Sequence, residues 1–211
     1  MHTVWWSARP DSSVALLASR TFDGGATWGA AVPVDTTDIG GLGCTRLPPA
    51  IAVDRFTGYI HVVYSIETAS GTGVFFSHSM ERGTLYHAPV AIVYGDRHSA
   101  ADVAAHANRV VVAYEDPNLR EQSAGKIALA ISRTDGHIFE HRVPVTAGTA
   151  AVGSPRVGIA GDRIAVAWAE SERMVSGTQQ WKVRVGILLS RKGTPVVNPA
   201  EHERLHPQPK P

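Results

Sequence analysis

The sequence predicts an all-β chain folded as a β-propeller of four-stranded antiparallel blades. About four blades are present, and the first lacks its innermost strand. Three observations predict this. A β-branched run closed by an aromatic recurs at Met1 to Trp6, Tyr59 to Tyr64, Arg109 to Tyr114 and Arg163 to Trp168. The closing aromatics stand at 6, 64, 114 and 168, spaced by 58, 50 and 54 residues. Such a fixed period marks a repeat architecture. No long stretch carries a 3.6-residue apolar period, so helices are not expected.

Those four runs are strand B of each blade. Strand C follows at Val14 to Ser19, Val74 to Ser79, Ile127 to Ser132 and Val183 to Ser190. Strand D follows at Ala30 to Val34, Pro89 to Val93 and Arg142 to Val145, with a weak fourth copy at Val196-Val197. Strand A precedes B at Ala50 to Val53, Asp102 to Ala105 and Arg156 to Ile159, small and apolar as a crowded axis requires. Short strands of even spacing between turn residues read as propeller blades. The blades occupy residues 1–36, 47–94, 100–146 and 154–197 of a single domain, 1–197, and a polar, Pro-containing tail follows at 198–211.

Each strand C runs into a turn of a recurring form. The first, Thr21-Phe22-Asp23-Gly24-Gly25-Ala26-Thr27-Trp28, is complete. There the Asp accepts backbone N–H bonds, the glycines supply positive φ and the aromatic packs over the turn. The second, Ser79 to Tyr86, keeps Ser, an acid, Gly and an aromatic; the third, Ser132 to Phe139, has its Asp one place late; the fourth, Ser190 to Pro195, is vestigial. The octet resembles the Asp-box (BNR) repeat of the sialidase superfamily, and Thr21, Asp23, Gly25, Thr27 and Trp28 are its structural positions. The resemblance implies a propeller, and relative to the six blades of sialidases this chain is partial. Three readings of the blade count stay open: a fragment or truncated gene product, a small or open propeller in its own right, or two chains completing one ring. Unpaired terminal strands are edges prone to self-association.

Composition narrows the function. The chain has 211 residues, 18% charged and 44% hydrophobic, a globular balance. Net charge is +1 with no basic stripe, so no nucleic-acid partner is predicted. A single cysteine, Cys44, excludes an intrachain disulfide and leaves the compartment open. No apolar run is long enough to span a membrane. Strand-like Thr3-Val4-Trp5-Trp6 follows Met1 almost at once, so no signal peptide is read.

In a propeller the D–A and B–C connections share one face, and the C–D turns lie on the other. Candidates for a ligand site are therefore the starts of strands A and the ends of strands B. The first group is Arg46, Arg97, His98, Asp102 and Arg156; the second is Glu67, Glu115, Asp116 and Glu170. Each complete repeat offers a cation before strand A and an acid just after strand B. In sialidases three arginines clamp the substrate carboxylate, a Tyr/Glu pair supplies the nucleophile and an Asp serves as acid/base. The resemblance thus implies exo-sialidase-type hydrolysis of an acidic sugar, with Asp102, Glu115 and Glu170 in catalytic places. Arg46, Arg97, Arg156, Asp116 and Glu67 fall in substrate-binding places. Bidentate arginine suits a carboxylate. Tyr64 and Tyr114 close strand B at a repeated position and read as packing, so no nucleophilic tyrosine stands apart. The alternative readings are a non-catalytic propeller binding a glycan or a protein, and a truncated inactive fragment.

No cofactor is predicted. His202-Glu203-Arg204-Leu205-His206 matches the zinc-protease signature H-E-x-x-H, but Pro207 follows at once and the segment has little apolar surface to hold a helix. The other histidines show no ligand spacing, and the metal expectation is none. The predicted ligand is a glycan or another anionic or polyhydroxylated small molecule.

Overall fold

The computed structural model describes residues 1–10, 13–40, 46–121, 124–147, 150–171 and 181–189. Cys44, the vestigial fourth turn, Val196-Val197 and the His202 to His206 motif lie outside the described residues. Among the described residues every regular element is a strand. None is a helix long and apolar enough to cross a membrane.

Fourteen strands among the described residues form four antiparallel sheets. Blade 1 is β1 (His2–Ala8), β2 (Val14–Arg20) and β3 (Val32–Asp35), with no strand A among the described residues. Blade 2 is β4 (Ala50–Val53), β5 (Ile60–Thr68), β6 (Gly71–Ser79) and β7 (Val90–Gly95). Blade 3 is β8 (Ala101–His106), β9 (Arg109–Glu121), β10 (Ala124–Ser132) and β11 (Phe139–Pro144). Blade 4 has β12 (Val152–Ala160), β13 (Arg163–Ser171) and β14 (Trp181–Leu189).

The strands of blades 2 and 3 alternate because each of these blades buries both faces against its neighbours, and the blade interfaces divide the core into three layers. Leu16, Ala18 and Val34 of blade 1 pack on Ile60, Val62, Tyr64 and Ile66 of blade 2. Val63, Val74 and Phe76 of blade 2 meet Val103, Val112 and Tyr114 of blade 3. Val111, Ala113, Ile127 and Leu129 then meet Ile164 and Val166 of blade 4. Successive residues of β5 and β9 thus serve opposite interfaces, as the two-residue period requires. Blade 4 has no described neighbour beyond it, and Trp181, Val183, Val185 and Ile187 stand exposed in a row on β14.

The C–D turns share one bonding scheme. The hydroxyls of Thr21, Ser79 and Ser132 accept the N–H groups of Gly25, Gly83 and Gly136 at 3.0, 2.9 and 3.0 Å. Asp23 accepts Thr27 N–H at 3.0 Å and its hydroxyl at 2.5 Å. In the third turn Thr134, at the place of Asp23, accepts Ile138 N–H at 3.0 Å. The late Asp135 takes a left-handed position, φ 55°, where the first turn has Gly24 and the second Arg82.

Hydrogen bonds from Thr21 and Thr27 hold the Asp23 carboxyl well below its ordinary value of 3.8. The contribution of this turn is therefore complete above the ordinary aspartate range and lost as pH falls through the depressed value. Asp23→Ala is expected to lower the melting temperature at pH 7 and to flatten its acid dependence. Scanning calorimetry at pH 7 and pH 3 checks both, and an unchanged melting point at pH 7 would refute the cap.

Candidate functional site

Strands A begin, and strands B end, on one face of the blades, and the sequence-derived candidates gather there in two groups. The first lies where blade 1 hands over to blade 2. Arg46 Nε donates to Asp38 Oδ2 at 2.6 Å and Arg46 Nη2 to Asp38 Oδ1 at 3.2 Å. Both side chains are buried, 7% and 2% exposed. Arg46 also donates to the Gly40 carbonyl at 2.7 Å, and Asp38 accepts Gly40 N–H at 2.9 Å. The Glu67 backbone closes this latch, its carbonyl accepting Ile39 N–H at 2.8 Å, while its side chain is exposed. Arg46 thus faces a carboxylate of its own chain.

The second group converges on the first half of β12. Asp102 Oδ2 accepts Val157 N–H at 2.8 Å, joining β8 to β12. Glu115 Oε1 accepts Ser154 N–H at 2.9 Å. Ser154 has φ 53° and lies in the register shift between Gly153 and Arg156, so Glu115 caps a β-bulge. Glu170 pairs across from Val152, accepts Trp168 Nε1–H at 3.3 Å and meets Arg184 Nε at 3.3 Å. Arg156 lies between the Ser154 and Val157 contacts; it is exposed and donates to the Pro155 carbonyl at 3.0 Å.

Asp116 and Arg97 stand apart from both groups. Asp116 is fully buried; its Oδ1 accepts Asn118 N–H at 2.9 Å and its Oδ2 lies 3.6 Å from Arg142 Nε. Arg97, in the link between β7 and β8, is half-buried. Beside it His98 Nδ1 lies 3.2 Å from the Ser65 hydroxyl. Among the described residues no carboxylate pairs with Arg97 or Arg156. Glu67, Glu115, Asp116 and Glu170, expected just after strand B, lie inside β5, β9 and β13, because the B–C hairpins keep pairing past the aromatic.

The closing aromatics all use their polar tips. Trp6 Nε1 donates to the Leu47 carbonyl at 2.9 Å, and Tyr64 donates to Asp35 Oδ2 at 2.6 Å. Tyr114 accepts from Arg142 Nε at 2.7 Å. Burial and the Asp35 charge push the Tyr64 phenol well above its usual range, and burial pushes Tyr114 up to about 12. Both phenols are buried and neutral, which fits packing and not nucleophilic attack.

Two concavities lie at the other end of strands A. One, of about 480 Å³, is lined by Val53, Arg55, Phe56, His106 and Ile159 among others; the second, of about 560 Å³, by Met1, His2, Ile51, Val53 and Arg55. Neither touches a sequence-derived candidate. On the C–D turn face the fold also assembles His78, His87 and His137, which sequence spacing left apart. Their register was the available signal: His87 directly follows the second turn and His137 lies within the third.

No family model matches the chain, and no curated protein matches it. Solved structures share its fold. A Penicillium chrysogenum α-L-arabinanase complexed with arabinobiose superposes with a TM-score of 0.55 at 13% identity, over 87% of this chain and 61% of that one. A Fusarium graminearum α-L-arabinofuranosidase with an iminosugar inhibitor gives 0.55 at 14%, over 89% and 58%. Trypanosoma rangeli sialidase gives 0.51 at 13%, over 87% and 29%. The chain thus spans less than two thirds of the length of each of these three structures. The fold is the one these β-propeller glycoside hydrolases share.

Proposed function

We propose that this chain is a propeller module that recognises a glycan bearing a carboxylate, through Arg97 and Arg156 on the face where strands A begin. The observation that carries this reading is that, among the described residues, these two guanidinium groups have no carboxylate partner, whereas Arg46 and Arg184 do. A guanidinium free of internal pairing can present its fork to a ligand carboxylate. The complete turn at Thr21 to Trp28 and its two partial copies support placing the chain near the sialidase superfamily.

A second reading is hydrolysis, and the fold shared with glycosidases favours it. Against it, Asp102, Glu115 and Glu170 already accept hydrogen bonds from the chain itself. Binding therefore comes first. Titration calorimetry with free sialic acid and with a neutral pentose disaccharide separates the readings, alongside turnover of a fluorogenic sialoside. The expected result is binding of the acidic sugar, no turnover, and at least a tenfold loss of affinity in Arg97→Ala and in Arg156→Ala. Turnover lost in Glu115→Gln would establish the hydrolase instead, and binding of the neutral sugar alone would refute the arginine site.

A further inference from the structure

We propose that His78, His87 and His137 form a binding site for a borderline divalent transition metal of the zinc class, clipping the C–D turn of blade 2 to that of blade 3. One ring nitrogen from each histidine lies within 4.8 Å of the others. His78 stands one residue before the end of β6, where it pairs across from His61, and His87 N–H donates to the His78 carbonyl at 2.9 Å. His137 comes from the neighbouring blade, within the turn between β10 and β11. The three rings meet across the blade boundary, with centroids 4.7 and 4.6 Å from that of His78.

The surroundings of each ring suit a ligand. His137 Nδ1 lies 2.7 Å from the Thr134 carbonyl, which can only accept, so Nδ1 carries the proton and Nε2 keeps its lone pair. A ligating histidine characteristically donates its other N–H to a carbonyl or carboxylate. His87 Nε2 lies 3.6 Å from Glu81 Oε1, a carboxylate able to orient that ring. His78 is buried and its Nε2 has no hydrogen-bond partner, a cost for a polar atom that needs a reason. Behind it, both nitrogens of the buried His61 are also unpartnered.

Imidazole nitrogens select zinc, copper, nickel or cobalt over calcium or magnesium, which take oxygen. At a zinc–nitrogen length of about 2.0–2.1 Å, tetrahedral ligand atoms sit roughly 3.4 Å apart, so nitrogens within 4.8 Å of one another must close by up to about 1.4 Å. His87 and His137 lie in the C–D connections of blades 2 and 3, half-buried and exposed, so the proposed closure turns these two side chains and not the buried His78. Three protein ligands leave a fourth position for water on the exposed side. Ring stacking alone gives a different expectation, because phenylalanine stacks as well as histidine.

The full chain, stripped with chelator, is titrated with zinc chloride by calorimetry and with cobalt chloride by visible absorption. One equivalent is expected to bind, with the d–d bands of nitrogen-ligated cobalt, and the melting temperature is expected to rise with zinc concentration. His87→Phe and His137→Phe should each weaken binding at least tenfold while leaving the metal-free melting point nearly unchanged. The double variant H202A/H206A should bind as the parent does. The proposal is overturned by no binding at millimolar metal, by unchanged binding in both phenylalanine variants, or by binding that disappears with the C-terminal histidines.

Discussion

Asp38→Asn is expected to destabilise the chain by about 3–5 kcal/mol, the range for removing one partner of a buried ion pair. The Asp38 and Arg46 side chains are almost fully withdrawn from water and bonded at 2.6 and 3.2 Å. Neutralising the aspartate leaves a guanidinium with its strongest acceptor gone and no route to solvent. The pair also fixes the long link from β3 to β4, since Asp38 accepts Gly40 N–H and Arg46 donates to the Gly40 carbonyl. Losing it loosens the passage between blades 1 and 2. Arg46→Lys should cost less than Asp38→Asn but remain measurable, because an ammonium cannot reproduce the two-pronged contact. Asp38→Asn combined with Arg46→Met should recover much of the loss, since no charge is then stranded. Urea denaturation of the parent, Asp38→Asn, Arg46→Met and their combination gives the double-mutant cycle, with Arg46→Lys measured beside it. A single-variant loss below about 1 kcal/mol would place the pair with ordinary surface bridges and defeat this account.

That latch also shows where sequence reasoning stops. Arg46 was legible as a cation preceding a strand A, but its partner lies eight residues upstream in a loop with no pattern. Whether an arginine waits for a ligand or is already paired depends on three-dimensional neighbours. The same holds for Asp102 and Glu115, whose acceptors were visible as acids at repeated places. Their donors, Val157 and Ser154 N–H, belong to the next blade. Strand order and the C–D turns were legible because they rest on local rules: two-residue alternation, a hydroxyl four residues before a glycine, and positive φ. Thr134 standing in for Asp23 was hidden by a change of residue type that preserved the bond. The three histidines were hidden because one of them comes from a different repeat.

Gly136→Ala is expected to cost roughly 2–5 kcal/mol, by summing about 1–2 for a left-handed backbone and about 1–3 for overpacking. Gly136 has φ +87°, and a β-carbon there would stand 2.5 and 2.6 Å from two atoms of the Phe76 ring. Phe76 is fully buried, stacked on His61 with centroids 5.8 Å apart and edge-on to Phe139 at 5.0 Å. The ring therefore has nowhere to retreat, and the third C–D turn must move away from blade 2. Gly24→Ala isolates the backbone part, because Gly24 has φ +75° with nothing within 4 Å of its added carbon. It should cost about 1–2 kcal/mol, the left-handed penalty alone. Gly158→Ala adds neither strain nor contact and should be nearly silent. Denaturation midpoints in the order Gly158→Ala, Gly24→Ala, Gly136→Ala, from most to least stable, would show that turn glycines act through φ and through the blade interface separately. Equal losses at Gly24 and Gly136 would mean that Phe76 yields, and that the contact between the third turn and blade 2 is looser than its geometry implies.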